Sequence, residues 1–148
     1  MNHRAFTLME LMIVIVIIGI LSAVGMVMFG GQAEKAKIAA TKAIHVQTVK
    51  YIAYEIQRCN LGYLKFMNGT QDCPATAKKA SNGAIATLND KNPYYPTKNS
   101  VKSDSQYGLG YVTLNVIGKK LDISACTKAT SPPTCDSDSK LIVTLYLE

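Results

Sequence analysis

Few side chains in this chain could do chemistry, and Glu10 stands out among them. It sits in the stretch FTLMEL, directly ahead of a run from Leu11 to Phe29 of 19 residues that carries no charge and one hydroxyl, Ser22. If the run is helical, the positive end of the helix stabilises a carboxylate in its first turn. That accounts for an acid at a helix start, but not for one embedded in Phe, Leu, Met and Leu. An ionisable group at membrane depth marks function by default and needs a partner. Cutting the chain between Ala5 and Phe6 would create one, because a second copy could then offer its Phe6 amine to Glu10.

The remaining reactive residue types are sparse. The four cysteines are Cys59, Cys73, Cys126 and Cys135, none in C-x-x-C spacing, and His45 is the only histidine beyond the first few residues. This argues against a zinc site. An even number of cysteines behind an apolar N-terminal segment fits disulfides in an oxidising compartment. Four cysteines allow three pairings. Cys59–Cys73 and Cys126–Cys135 are favoured, because each pair is close in sequence and flanked by turn-forming residues. Asp136 and Asp138 in CDSDSK are candidates for calcium, but that ion takes 6–8 oxygens, so a solvated acidic turn without metal is expected. No nucleophile motif or phosphate-binding loop is present, and His45 has no acidic residue nearby to orient it. No catalytic residue, cofactor or enzymatic activity is expected, and His45 reads as a surface or boundary residue of a helix.

These residues are carried by a 148-residue chain of net charge +6, with 16 Lys and Arg against 10 Asp and Glu. The lysines are scattered, as on a solvated surface. As a helix, Leu11–Phe29 would be about 28 Å long, close to the hydrocarbon thickness of a bilayer. As a secretory signal its apolar region is long. As a simple anchor it is poorly oriented by charge, with Arg4 before it and Lys35 and Lys37 after it. Cleavage before Phe6 instead keeps the apolar segment on the mature chain. After Gly31, residues 32–58 lack Pro and Gly, with Ile38, Val49, Ile52 and Ile56 close to one stripe and Ala53 beside it. Lys42, Lys50 and Glu55 fall largely off that stripe. This predicts an amphipathic helix continuing the apolar one, from Phe6 to Arg58.

Residues 60–107 are turn-rich, with Asn68-Gly69, Pro74, Asn82-Gly83 and NPYYP at 92–96. They read as a long irregular loop, pinned at its start by Cys59–Cys73. Beyond it the period changes to two. Tyr111–Ile117 puts Val112, Leu114 and Val116 on one face, and Gly118-Lys119 turns into Leu121–Ser124, with Leu121 and Ile123 inward. The last strand, Leu141–Leu147, aligns Leu141, Val143, Leu145 and Leu147. Three antiparallel strands with one apolar face need a cover, and the amphipathic helix supplies it.

The segment A-FTLMELMIVIVIIGILSAVG resembles the N-terminal signature of type IV pilins and pseudopilins, the class III prepilin signal. The motif covers roughly the first thirty residues and is highly specific. The resemblance implies that a membrane peptidase cleaves between Ala5 and Phe6 and methylates the Phe6 amine. It implies that Glu10 pairs with a neighbouring subunit's N-terminus during assembly, and Gly19 matches the family's mid-segment glycine. Two positions depart from the pattern. Ala5 stands where the family usually has Gly, and is small enough for processing. Val27 stands where the family often has a kinking proline; Gly25, Gly30 and Gly31 supply weak points instead, each costing about 1 kcal/mol relative to Ala in a helix.

The implied fold is α+β: a long N-terminal helix, its first half transmembrane, packed on a three- to four-stranded antiparallel sheet. The implied organisation is a leader (1–5), an assembly helix (6–31) and a pilin head (32–148). The head comprises the amphipathic helix (32–58), the αβ loop (60–107), and a sheet with a cysteine-bounded region, Cys126 to Cys135, near the C-terminus (108–148). The expected function is that of a structural pilus subunit, single-pass in a bacterial inner membrane before assembly and extracellular after it. Expected partners are identical or related pilin subunits, the prepilin peptidase, the inner-membrane assembly machinery and membrane lipid. A secretion pseudopilin is the alternative within the family. A different class is DNA binding by the basic head; the net charge of the chain falls from +6 to +5 once Arg4 is removed. Lys98 and Lys102 beside Tyr94, Tyr95 and Tyr107, with Lys119-Lys120 in a hairpin turn, could track phosphates and stack bases.

Overall fold

The computed structural model describes residues 7–29, 31–104, 108–131 and 134–147. The helix expected to run unbroken from Phe6 to Arg58 is two elements. The first, α1, is Leu8–Phe29, and the second, α2, is Gln32–Asn60, with Gly31 in a turn between them. Gly31 bears no side chain to restrict its backbone, so the helical ladder is weakest there. Val27 lies within α1, which runs through that position. The chain divides into two compact units, residues 1–36 and 37–148.

In the second unit the order after α2 is β1 (Lys65–Phe66), β2 (Gln71–Asp72), α3 (Ala77–Thr87), β3 (Val101–Lys102), β4 (Val112–Ile117) and β5 (Lys120–Cys126). Then come β6 (Ala129–Ser131), β7 (Thr134–Cys135), a single 3-10 turn at Ser137–Ser139 and β8 (Lys140–Tyr146). The main sheet has the order β3-β4-β5-β8. Its three long strands are antiparallel, and the two-residue β3 adds a parallel edge beside β4. This is the α+β architecture expected, with four strands in the sheet, the fourth a short edge that runs parallel to its neighbour.

The register follows from side-chain alternation. Leu114 faces Ile123 and Val116 faces Leu121 across β4 and β5, while Leu121 faces Leu145 and Ile123 faces Val143 across β5 and β8. Leu114, Leu121 and Ile123 are buried and a slip of one residue would turn them to the opposite face, whereas Val116, near the end of β4, is exposed. Gly118, with φ +60°, makes the tight β4–β5 turn. Val112, Leu114, Leu121, Ile123 and Ala125 are fully enclosed, together with Ile52 from α2 and Phe66, Met67, Ala80 and Ala84.

The seam of α2 against this core differs from the apolar stripe read in the sequence. Buried along it are Thr41, His45, Thr48, Ile52 and Glu55, spaced three or four apart. Val49 and Ile56 flank the seam and are half-buried, whereas Ala53 is exposed. The polar positions are tolerated because each is bonded. Thr41 and Thr48 donate to the carbonyls of Lys37 and Ile44, at 2.9 and 2.8 Å. His45 Nε2 meets the Ile123 carbonyl on β5 at 3.1 Å. Glu55 accepts the backbone N–H of Met67 and pairs with Arg58 at 3.3 Å. Buried polar groups with such partners escape the desolvation penalty. His45 is therefore a core residue, not a surface one, and Glu55 is an interior carboxylate.

Residues 60–107 are more regular than their turn-rich sequence predicts. They contain a two-stranded hairpin and the 11-residue helix α3, started by Thr76, whose hydroxyl accepts the Lys79 N–H at 3.4 Å. Asn82-Gly83 reads as a turn but lies inside α3. The glycine is needed for a close approach: a Cβ at Gly83 would stand 2.4 Å from Met67 Cγ.

Candidate functional site: the N-terminal helix and the head

Thr7 and Glu10 form the start of α1 reciprocally. Glu10 Oε2 accepts the Thr7 backbone N–H at 3.2 Å and the Thr7 hydroxyl at 3.1 Å, and the Glu10 N–H donates to Thr7 Oγ1 at 3.3 Å. This is a capping box, in which two N–H groups that the helix leaves unbonded are satisfied by side chains. The T-x-x-E spacing carries that signal in the sequence. The bonds occupy one carboxylate oxygen.

Behind this start α1 is apolar on all sides, with no polar face. From Leu8 to Val24 its large side chains are about half exposed or more, among them Leu11 at 61% and Ile17 at 51%. Ser22 returns its hydroxyl to the Ile18 carbonyl at 2.7 Å, leaving no polar group that calls for water. Among the described residues this is the one helix long and apolar enough to cross a membrane. A Cβ at Gly19 would touch nothing within 4 Å, so the chain itself does not require a glycine there. Ala5 and Phe6, the expected cleavage and methylation positions, lie outside the described residues.

The other positions singled out in the sequence fall in the head. Cys59 is bonded to Cys73, tying the end of α2 to the segment after β2, and Cys126 to Cys135, closing β5 onto β7; the Cα–Cα distances are 5.6 and 5.8 Å. Asp136 and Asp138 flank and enter the 3-10 turn at Ser137–Ser139. Among the described residues no three His, Cys, Asp or Glu side chains converge as metal ligands would. Lys98, Lys102 and Tyr95 line one cleft with Tyr111, while Lys119 and Lys120 sit at the β4–β5 turn, where Lys120 covers the Tyr146 ring. Tyr94 donates its hydroxyl to the Thr127 carbonyl at 3.1 Å and lies under Lys37. Tyr107 lies outside the described residues.

An apolar helix exposed from Leu8 to Val24, entered through a capped carboxylate, and an α+β domain with an antiparallel sheet are consistent with the pilin fold. Residues 1–26 match the family model described as the prokaryotic N-terminal methylation motif. That motif, the class III signal, with the apolar helix fits a type IV pilin-like protein. No curated protein and no solved structure matches the chain.

Proposed function

We propose that the chain is a structural subunit of a type IV pilus, and not an enzyme. One observation carries this reading: α1 is apolar all round and exposed from Leu8 to Val24, within a chain whose start matches a methylation motif. Such a helix needs lipid or other helices on every side. On this reading the helix holds the subunit in the inner membrane with the head outside. The peptidase removes residues 1–5 between Ala5 and Phe6 and methylates the Phe6 amine. The assembly machinery then moves the subunit from lipid into a fibre core of like helices.

Lipid tails are as apolar as leucine, so helix packing in that core gains little from hydrophobicity, and a charge pair can supply register. Glu10 is that group. Its Oε2 holds Thr7, and the carboxylate charge pairs with the Phe6 amine of a neighbour; a core Glu10 without that partner would be costly. The two disulfides of the head suit an extracellular fibre. The test is filament yield from cells expressing Glu10→Ala. Processed protein that stays in the membrane without sheared filaments is the expected result, and a normal yield of filaments would refute the role of Glu10.

A further inference from the structure

Strand β8 ends the main sheet on one side, since the order β3-β4-β5-β8 pairs it with β5 alone among the described strands. The Leu147 N–H donates to the Lys119 carbonyl (2.9 Å) and the Thr127 N–H to the Ser139 carbonyl (3.1 Å), which fixes the residues that bond to β5. By the alternation of an antiparallel ladder, Leu141, Val143 and Leu145 spend their backbone groups on β5. Those of Ile142, Thr144 and Tyr146 point away from the sheet, and among the described residues no strand or bridge takes them. An open row of this kind templates another strand unless charge, proline or a bulge blunts it. From Leu141 to Leu147 the sequence LIVTLYL has no charge and no proline, and its register with β5 runs without a shift.

On the outer face of this edge stand Ile142, 51% exposed, Thr144, and Tyr146, 75% exposed. Thr144 donates its hydroxyl to Asp122 Oδ1 at 2.6 Å, and Lys120 Nζ lies 5.2 Å from the Tyr146 centroid, so both side chains are set against β5. The strand is also complementary to itself. Laid antiparallel against a second β8 with Thr144 opposite Thr144, each Ile142 meets the other copy's Tyr146. On the inner face Leu141 meets Leu147 and Val143 meets Leu145, which carries the apolar face across the seam. β-Branched against aromatic and threonine against threonine are favourable cross-strand pairs. At the ends of the strand the same register sets Lys140 against position 148, a glutamate in the sequence, so the charges there are opposite in sign. A shift of two residues either way puts Thr144 against Ile142 or Tyr146 and loses these matches.

We propose that the β8 edge docks a second copy of this chain, two heads joining edge to edge and antiparallel about a two-fold axis at Thr144. A two-fold contact is used up by two copies, so it closes a pair and does not itself propagate a fibre. It lies in the head and is independent of how α1 packs.

A contact of one strand a side is small beside the interface of a stable dimer, so the test traps it. The full chain in non-ionic detergent is oxidised mildly, and disulfide-linked dimers are resolved by gel and located by mass spectrometry. Its own four cysteines are all bonded, so an added thiol reports alone. Opposite Cα atoms in a hydrogen-bonded antiparallel pair are about 5.5 Å apart, inside the span of roughly 4.4–6.8 Å that a disulfide bridges. Thr144→Cys should therefore give linked dimer. Ile142→Cys and Tyr146→Cys should each give severalfold less alone, and a mixture of the two should restore it. Contacts through α1 would raise chance collisions at all three positions alike. Absence of a Thr144→Cys dimer, as when the edge takes a foreign strand, would overturn the proposal. So would equal yields from the single variants and the mixture, which would mark collision without register.

Discussion

Glu10 and Thr7 satisfy each other at the head of α1: the carboxylate takes the threonine N–H and hydroxyl at 3.2 and 3.1 Å, and the threonine oxygen takes the glutamate N–H at 3.3 Å. Glu10 therefore has a local role within one subunit as well as the proposed role between subunits. The two roles separate by substitution, because the cap needs an acceptor oxygen whereas the pairing needs a charge.

Glu10→Gln keeps an oxygen that can accept from Thr7 but removes the charge. Thr7→Ala removes the cap, at about 0.5–2 kcal/mol of helix stability, and keeps the charge. Filament yield should collapse in Glu10→Gln and persist in Thr7→Ala. The opposite ranking would mean that Glu10 serves the helix start and not assembly.

Gly83→Ala should destabilise the head, although alanine is the better helix former. The added methyl meets Met67 Cγ at 2.4 Å in a fully buried position, and overpacking of that kind costs about 1–3 kcal/mol. Urea titration of Gly83→Ala beside Gly83→Ala/Met67→Ala tests the cause. The second substitution should recover part of the loss if the clash is responsible. A Gly83→Ala midpoint equal to or above that of the unaltered chain would show that Met67 moves aside freely.

Glu55→Ala should cost about 1–3 kcal/mol, because it leaves the enclosed Met67 N–H without an acceptor. Glu55→Gln retains an acceptor and should cost less. Equal losses for the two variants would place the effect in the Arg58 pair instead of the N–H bond, and the same urea titration distinguishes them.

How much of this was legible in the sequence depended on how local each determinant is. The apolar helix was legible because nothing between Leu11 and Phe29 is charged. The strands were legible because Leu141, Val143, Leu145 and Leu147 alternate, and because Gly118 marks the turn between β4 and β5. The α2 seam was not. His45 is buried through a carbonyl 78 residues away, and Glu55 through the N–H of Met67, so each reads as a surface polar residue until its partner is known. Helix α3 was hidden by Asn82-Gly83, a turn signal that here marks a close approach to Met67. Of the N-terminal site, the acid in an apolar setting was legible, and the T-x-x-E cap was within reach. In the head, the aromatic and basic loop was legible as composition. Its assembly into a cleft was not, since that depends on Asn92 reaching Leu109 and on Tyr111 from β4's approach.

The central claim is that the chain becomes a fibre subunit only after its leader is removed, and the mass and N-terminal sequence of the protein in sheared surface filaments test it most directly. The account predicts a chain that begins at N-methylated Phe6 and retains α1. A soluble product beginning after Gly25, with α1 removed and no filament form, would contradict it.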